Sequence, residues 1–343
     1  MRNVAILTGP DTHLDHLGVL SAVLDIPLIV TDERNLLLSQ EFYPDLKAQL
    51  MGLDELTMEH LACNYDTLFE TGKFFAAQLK PFIQLLFGKT MRFVFCPHGN
   101  SDKGHSLGQH VDQDISLVYG DHLHDLLQKN GAAKQIRHIV RTGNYRYPYY
   151  LKHKPFFDAL AQKKVFSRFQ VEKPTILYAP TWNDRENPTS FFEHTDRIIQ
   201  ELSNSYNLLI KLHPFLIEDH PAHTYHIMAR YEDHPGVVFL TDFPPIYPLL
   251  ARCDLYLGDY SSIGYDFLAF DKPLYFFNHS AVSPLQTCGL TIPSEGASEK
   301  FLTSSIKECS TRFSEQRKKV YNHAFGKEIS PELIRRQLIS LKI

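Results

Sequence analysis

Short apolar runs alternate along this chain with longer stretches in which apolar positions recur every three or four residues. The first pattern marks buried strands and the second marks helices that cover them, so their alternation predicts parallel sheets in an α/β fold. Strands are expected at 4–8, 27–31, 92–96, 115–119 and 138–142 in the first half, and at 175–179, 208–212, 237–240, 254–258 and 273–277 in the second. The halves read as two doubly wound units laid end to end. Around 145–172 the alternation breaks: Tyr145-Arg146-Tyr147-Pro148-Tyr149-Tyr150 is followed by a basic helical stretch with Lys152, Lys154, Lys163, Lys164 and Arg168. This places a first domain over 1–150 and a second over 151–343. The second is expected to end in a helix that starts at Ser330-Pro331, with Ser as cap and Pro in the first turn.

The length of 343 residues agrees with two domains better than with one core. Lys and Arg number 35 against 39 Asp and Glu, a net charge of -4 with no basic run, which argues against a nucleic-acid partner. A few local cations would still suffice for a phosphate site. The five cysteines (Cys63, Cys96, Cys253, Cys288, Cys309) show no CxxC spacing, so neither zinc nor a redox pair is expected and a reducing compartment fits. The apolar run at the start is too short for a signal peptide, and no run approaches the ~20 residues of a membrane span. A cytoplasmic protein is expected.

In open parallel sheets, ligands bind beyond the carboxyl ends of the strands. Four such ends carry chemistry: Pro97-His98-Gly99-Asn100-Ser101-Asp102-Lys103, Pro180-Thr181-Trp182-Asn183-Asp184-Arg185, His213-Pro214 after Lys211-Leu212, and Gly258-Asp259-Tyr260-Ser261-Ser262. The last runs from a strand into a helix, where free N–H groups and two hydroxyls could hold an anion or simply cap the helix. His98 has the ordinary pKa of a general base, or is a turn histidine. Lys103 could neutralise a phosphate, or be solvated. Trp182 either stacks on a base or packs its loop. His220, His223 and His226 sit three apart and could form a metal face, but lack a carboxylate or cysteine partner. The apolar stretch 73–89, with basic ends, is either a contact with a membrane surface or a buried helix.

Together these segments resemble the CDP-glycerol glycerophosphotransferase family of teichoic-acid and capsule synthesis. The resemblance is best over 171–280. It rests on Ala179-Pro180-Thr181-Trp182, on Lys211-Leu212-His213-Pro214, and on Asp259-Tyr260-Ser261-Ser262 with Asp266-Phe267 and Asp271-Lys272-Pro273; His98-Gly99 with Lys103 matches the spacing of HGxxxK. The family implies a GT-B-like fold, two Rossmann-like domains facing a central cleft. It further implies His98 as base on the acceptor hydroxyl, His213 with Ser261 and Ser262 on the donor pyrophosphate, and Asp259 shaping that loop. Gly99, Lys103, Arg146, Thr181, Trp182, Arg185 and Lys211 complete the expected substrate-binding set. The chain departs from the pattern at Asn100-Ser101-Asp102, where the family has Thr-Pro-Leu, and at Asn183, where it often has Arg. It departs again at Gly143-Asn144-Tyr145-Arg146-Tyr147-Pro148, where GxPRxD has lost its Pro and Asp.

The implied activity is transfer of a glycerol-phosphate or related alditol-phosphate group from a CDP-alcohol donor to a hydroxyl-bearing, lipid-linked acceptor, with release of CMP. No acidic cluster suggests a metal, so neither metal nor cofactor is expected. The work would be done in the cytoplasm at the inner face of the membrane, through peripheral contact. Two other readings share these motifs: a nucleotide-sugar glycosyltransferase or epimerase on the same fold, and a non-catalytic nucleotide-binding protein.

Overall fold

The computed structural model describes residues 2–184, 188–277, 283–294 and 296–341. It divides into two compact units, Met1–His153 with Asn322–Ile343, and Lys154–Tyr321.

Among the described residues the first unit has a seven-stranded sheet: β1 (Asn3–Leu7), β2 (Leu28–Val30), β3 (Ala48–Leu50), β4 (Thr67–Glu70), β5 (Arg92–Phe95), β6 (Ile115–Val118) and β7 (His138–Arg141). All pairings are parallel, in the order β3-β2-β1-β4-β5-β6-β7. The chain winds outward from β1 to β3, then returns to place β4 on the other side of β1. That reversal makes the carboxyl edge of β1 and β4 the expected ligand position. Val4, Ile6, Ile29, Leu68, Phe75, Ile83 and Phe93 form one core cluster.

The second unit has β8 (Thr175–Ala179), β9 (Asn207–Lys211), β10 (Val237–Leu240), β11 (Leu255–Gly258), β12 (Leu274–Phe276) and β13 (Leu290–Thr291). They are parallel in the order β10-β9-β8-β11-β12-β13, with the reversal between β8 and β11. The helix Phe191–Leu202 covers this sheet with a buried stripe of Phe191, Thr195, Ile198, Ile199 and Leu202, the spacing of a one-sided amphipathic helix.

Each expected strand falls on an observed one, but β3, β4 and β13 were not anticipated. Two further expectations change. The division between His153 and Lys154 falls within the expected 145–172 seam, but the stretch from Tyr145 lies before it: Arg146–Lys152 is a helix of the first unit, with Arg146, Tyr149 and Tyr150 buried. The last helix, Pro331–Ser340, starts as expected, with Ser330 Oγ accepting from Leu333 N at 3.2 Å, yet it belongs to the first unit. Its buried Ile334 and Leu338 face that unit, Arg92 Nη1 donates to Leu338 O at 2.8 Å, and Arg335 donates to Leu24 O and Val23 O at 3.1 and 3.0 Å. Bonds spanning more than two hundred residues leave no trace in local pattern.

Helix Phe74–Phe87 is not a fully buried helix either. Phe75, Ala76 and Ile83 face the core, while Phe74, Phe82, Leu86 and Leu85, the last 76% exposed, face outward.

Candidate active site

In the first unit the site residues follow adjacent strands. β5 delivers His98, and Gly99 behind it has φ 136°, a conformation strained for any residue with a Cβ. His98 is half-buried, and its Nδ1 is buried without a hydrogen-bond partner among the described residues. Burial lowers the pKa of this ring, while a hydrogen bond to the Thr71 main chain works in the opposite direction. The net effect keeps the imidazole neutral near pH 7, the form that can accept a proton.

Sequence reading missed what surrounds it. His13, beyond β1, stacks on His98 with ring centroids 4.4 Å apart and planes at 24°. Its Nδ1 lies 2.9 Å from Thr71 Oγ1, beyond β4. His16 is buried with Nδ1 2.6 Å from the Tyr119 hydroxyl, and burial first, then Arg146, push its pKa well down. His110 Nδ1 meets Ser116 Oγ at 2.5 Å, and burial lowers its pKa to about 3. The THLDH segment carried two of these histidines in plain view, but β4 had not been recognised, so nothing placed them beside His98.

The loop after Gly99 explains the departures from the family pattern. Buried Asn100 donates from Nδ2 to Ala324 O at 3.3 Å, Ser101 Oγ accepts from Lys103 N at 3.2 Å, and Asp102 Oδ1 lies 3.1 Å from His122 Nε2. These side chains fasten the loop to the first unit and its returning segment. Lys103 is half-buried at the head of the 3-10 helix Gly104–His110. Arg146 requires a correction. It is 3% exposed, and its Nη2 meets Asp15 Oδ2 at 2.5 Å while Nε donates to Asp15 O at 2.9 Å. It forms a buried ion pair with Asp15.

In the second unit Thr181 follows β8 and Asp259 follows its neighbour β11. Asp259 is 0% exposed, and its Oδ2 accepts from Thr181 N, Ser190 N and Ser190 Oγ at 2.8, 3.1 and 3.0 Å. The carboxylate therefore ties the two loops across the point where strand order reverses, and is itself shielded from a ligand. Thr189 Oγ1 donates to Thr181 O at 2.6 Å and Asn183 Oδ1 accepts from Thr189 N at 2.8 Å, closing the loop. Gly258 is dictated by close approach: a Cβ there would lie 2.7 Å from Ala179 O.

Ser261 and Ser262 open the helix Ser262–Phe267 and are half-buried. Ser261 makes no side-chain cap, and its Oγ lies 3.4 Å from the Tyr256 hydroxyl. His213 heads the helix Pro214–Asp219, with Nδ1 accepting from Phe215 N at 3.3 Å. An acceptor Nδ1 leaves the neutral ring's proton on Nε2, where it is a donor for an anion. Trp182 stacks at 5.9 Å on His213 and meets Phe215 edge-on at 4.7 Å, and it packs against the second core, so it holds the loop and the His213 ring. Lys211 is buried at the end of β9, and Arg185 lies outside the described residues.

Other motif residues are scaffold. Asp266 accepts from the Tyr247 hydroxyl at 2.9 Å, and Lys272 donates to Ala251 O and Cys253 O at 2.7 and 2.6 Å. Asp271 accepts from buried Arg317 at 2.6 Å. His220 and His223 pack on Phe192, and His226 contacts Arg230, so the three do not converge. A cavity of about 270 Å³ in the first unit, lined by Val23, Tyr145, Tyr149 and Pro331 among others, includes no expected site residue.

Two parallel-sheet α/β units with polar groups at the carboxyl edge of each define a GT-B-like fold. The model of the CDP-glycerol:poly(glycerophosphate) glycerophosphotransferase family matches residues 111–283, half of the chain. The chain belongs to this transferase family. The matched segment contains the whole second-unit set, and His98 lies ahead of it. The teichoic acid glycerol-phosphate primase of Bacillus spizizenii is 32% identical over 127 residues, 36% of this chain and 31% of that protein. The teichoic acid poly(ribitol-phosphate) polymerase of the same organism is 27% identical over 159 residues, 43% of this chain and 24% of that protein. The matches thus span a third or less of these relatives. The solved wall teichoic acid polymerase TagF has the same fold, with TM-score 0.65 at 12% identity over 98% of this chain and 89% of that one. A variant of TagF soaked with CDPG gives a TM-score of 0.66 at 12% identity, with the same coverage.

Proposed function

We propose that this chain moves a glycerol-phosphate or related alditol-phosphate group from a CDP-linked donor to an acceptor hydroxyl. The single observation that carries the reading is His98: a neutral, desolvated imidazole whose buried Nδ1 has no hydrogen-bond partner among the described residues, held at a strand end beside a glycine. The acceptor oxygen attacks the β-phosphorus and gives its proton to His98. A new P–O bond forms, the bond from β-phosphorus to the bridging pyrophosphate oxygen breaks, and CMP departs with that oxygen. The second unit serves the donor: His213 Nε2–H and the hydroxyls of Ser261 and Ser262 face phosphate oxygens, while Asp259 holds the loops that present them. Thr181, Lys211 and, on the first unit, Gly99 and Lys103 border the substrates. Positioning and charge stabilisation supply most of the rate in such chemistry. The curated relatives are named as primases and polymerases of this kind of polymer, and TagF was soaked with CDPG.

The acceptor is a hydroxyl-bearing, lipid-linked molecule met at the inner face of the membrane. Among the described residues no helix is long and apolar enough to cross a membrane. The outward face of helix Phe74–Phe87, with Lys73 and Lys89 at its ends, suits peripheral contact. Flotation with anionic vesicles that leaves the protein in the soluble fraction refutes this part.

The deciding experiment follows CMP release from CDP-glycerol by the wild type and His98→Ala. The variant should bind CDP as before and lose ~10²-fold or more in kcat. Near wild-type turnover in His98→Ala removes the base, and preference for uridine over cytidine diphosphate in calorimetry removes the donor.

A further inference from the structure

Sheet order sets β4 between β1 and β5, so the segments that follow these three strands lie side by side. They bring together His13, Thr71 and His98. The imidazoles are in ring contact at 4.4 Å; Thr71 Oγ1 lies 2.9 Å from His13 Nδ1, and the Thr71 main chain bonds the His98 ring. Thr71 is buried, and a Cβ on Gly9 would lie 2.6 Å from His13 Nδ1, so the chain is shaped around this ring. We propose that His13 is a positioning residue for proton transfer, forming with His98 a stacked pair that holds a single proton and thereby sets the pH at which His98 can act as base. This rests on the reading of His98 given above.

Two imidazolium rings in contact repel, so the protons leave such a pair in two steps that belong to the pair and not to either residue. The surrounding groups leave this role to His13. Toward the helix Arg146–Lys152, Arg146 is balanced by Asp15, and His16 is held neutral by burial. Tyr119, just past β6, bonds His16. His110, on the 3-10 helix, is also held neutral by burial. Glu70, at the end of β4, accepts from Gln113 Nε2 at 2.9 Å and from the Phe75 and Ala76 main chain. His13 is the ring in stacking contact with His98. Its hydroxyl partner, Thr71, can donate to or accept from Nδ1, so the contact survives a change of proton on His13.

The test follows the His98 Cε1–Hε1 signal against pH by NMR in the unliganded protein, assigned by its loss in His98→Gln. Turnover against pH is measured on the same proteins. His13→Asn, which removes the like charge, should raise the His98 midpoint by ~0.5 unit or more and carry the acid limb of turnover with it. His13→Lys, a permanent cation, should move both down. Thr71→Val keeps the volume, loses the hydroxyl and should displace the midpoint as well, which covers the case of a poorly folded His13 variant. A His98 midpoint that stays put in all three overturns the pairing, whatever the donor proves to be. A midpoint that moves while the limb of turnover does not overturns His98 as the base, and with it the part of His13 in transfer.

Discussion

Asp259 offers the sharpest check on the second unit, because the structure gives it a scaffolding role inside a motif that reads as ligand-binding. Asp259→Ala would leave the amides of Thr181 and Ser190 and the hydroxyl of Ser190 without the oxygen that accepts all three. A buried donor left unpaired costs about 1–3 kcal/mol. The three share one pocket and relax together, so we expect about 3–5 kcal/mol, the range for breaking a buried charged network. Asp259→Asn keeps one acceptor oxygen and should cost about 1–2 kcal/mol. Urea unfolding followed by Trp182 fluorescence reports on this unit selectively, since Trp182 is the single Trp of the chain and sits on the loop that Asp259 ties down. Hydrogen exchange gives a second readout: the Thr181 and Ser190 amides should lose protection. An alanine variant within 1 kcal/mol of wild type, with both amides protected as before, would refute the latch.

Three further outcomes are expected. Arg146→Met should destabilise the first unit by about 3–5 kcal/mol by removing the cation from buried Asp15; a normal melting temperature with a raised KM would return Arg146 to the substrate. Ser261→Ala combined with Ser262→Ala should weaken CDP binding about tenfold or more in calorimetry, at about 1 kcal/mol per lost donor, and unchanged affinity moves the donor site elsewhere. His110 predicts acid sensitivity: an unfolded histidine titrates near 6.5 and His110 in the fold at about 3. Between those values the unfolded chain binds a proton that the fold refuses, so stability falls as pH is lowered, by up to about 1.4 kcal/mol per unit. His110→Gln should flatten that slope in denaturant titrations from pH 7 to 5, and an unaltered slope assigns the loss to other groups.

Strands were legible wherever an apolar run lay between turn residues: 175–179 and 237–240 match β8 and β10 to the residue. β4 escaped because Thr67-Leu68-Phe69-Glu70 carries polar residues at both ends, although the fold buries all four. β3 is an edge strand whose Gln49 and Leu50 are exposed, so no apolar signal marks it. The described residues of the second-unit candidate site were readable because they lie at the ends of β8, β9 and β11 or within a few positions after them. The first-unit site was half readable. His98 announced itself through Gly99, but His13 and Thr71 gain meaning only once β4 lies between β1 and β5. Arg146 shows the converse: a residue expected among the substrate-binding set is engaged by Asp15, 131 residues away.

The first unit is discontinuous in sequence, and this bears on how the chain is made. Translation delivers residues up to His153 early, yet Asn322 onward must emerge before Arg92 can bond Leu338 or Asn100 can bond Ala324. At about 5–20 residues per second, the intervening unit takes roughly 10–30 seconds to synthesise. Throughout that interval the His98 loop lacks one of its fasteners, and the surface that will receive Ile334 and Leu338 stands open. The second unit, contiguous in sequence, can close first. The nascent chain therefore passes through a stage with a finished second unit and an unfinished first unit, the stage at which a chaperone would find apolar surface to hold.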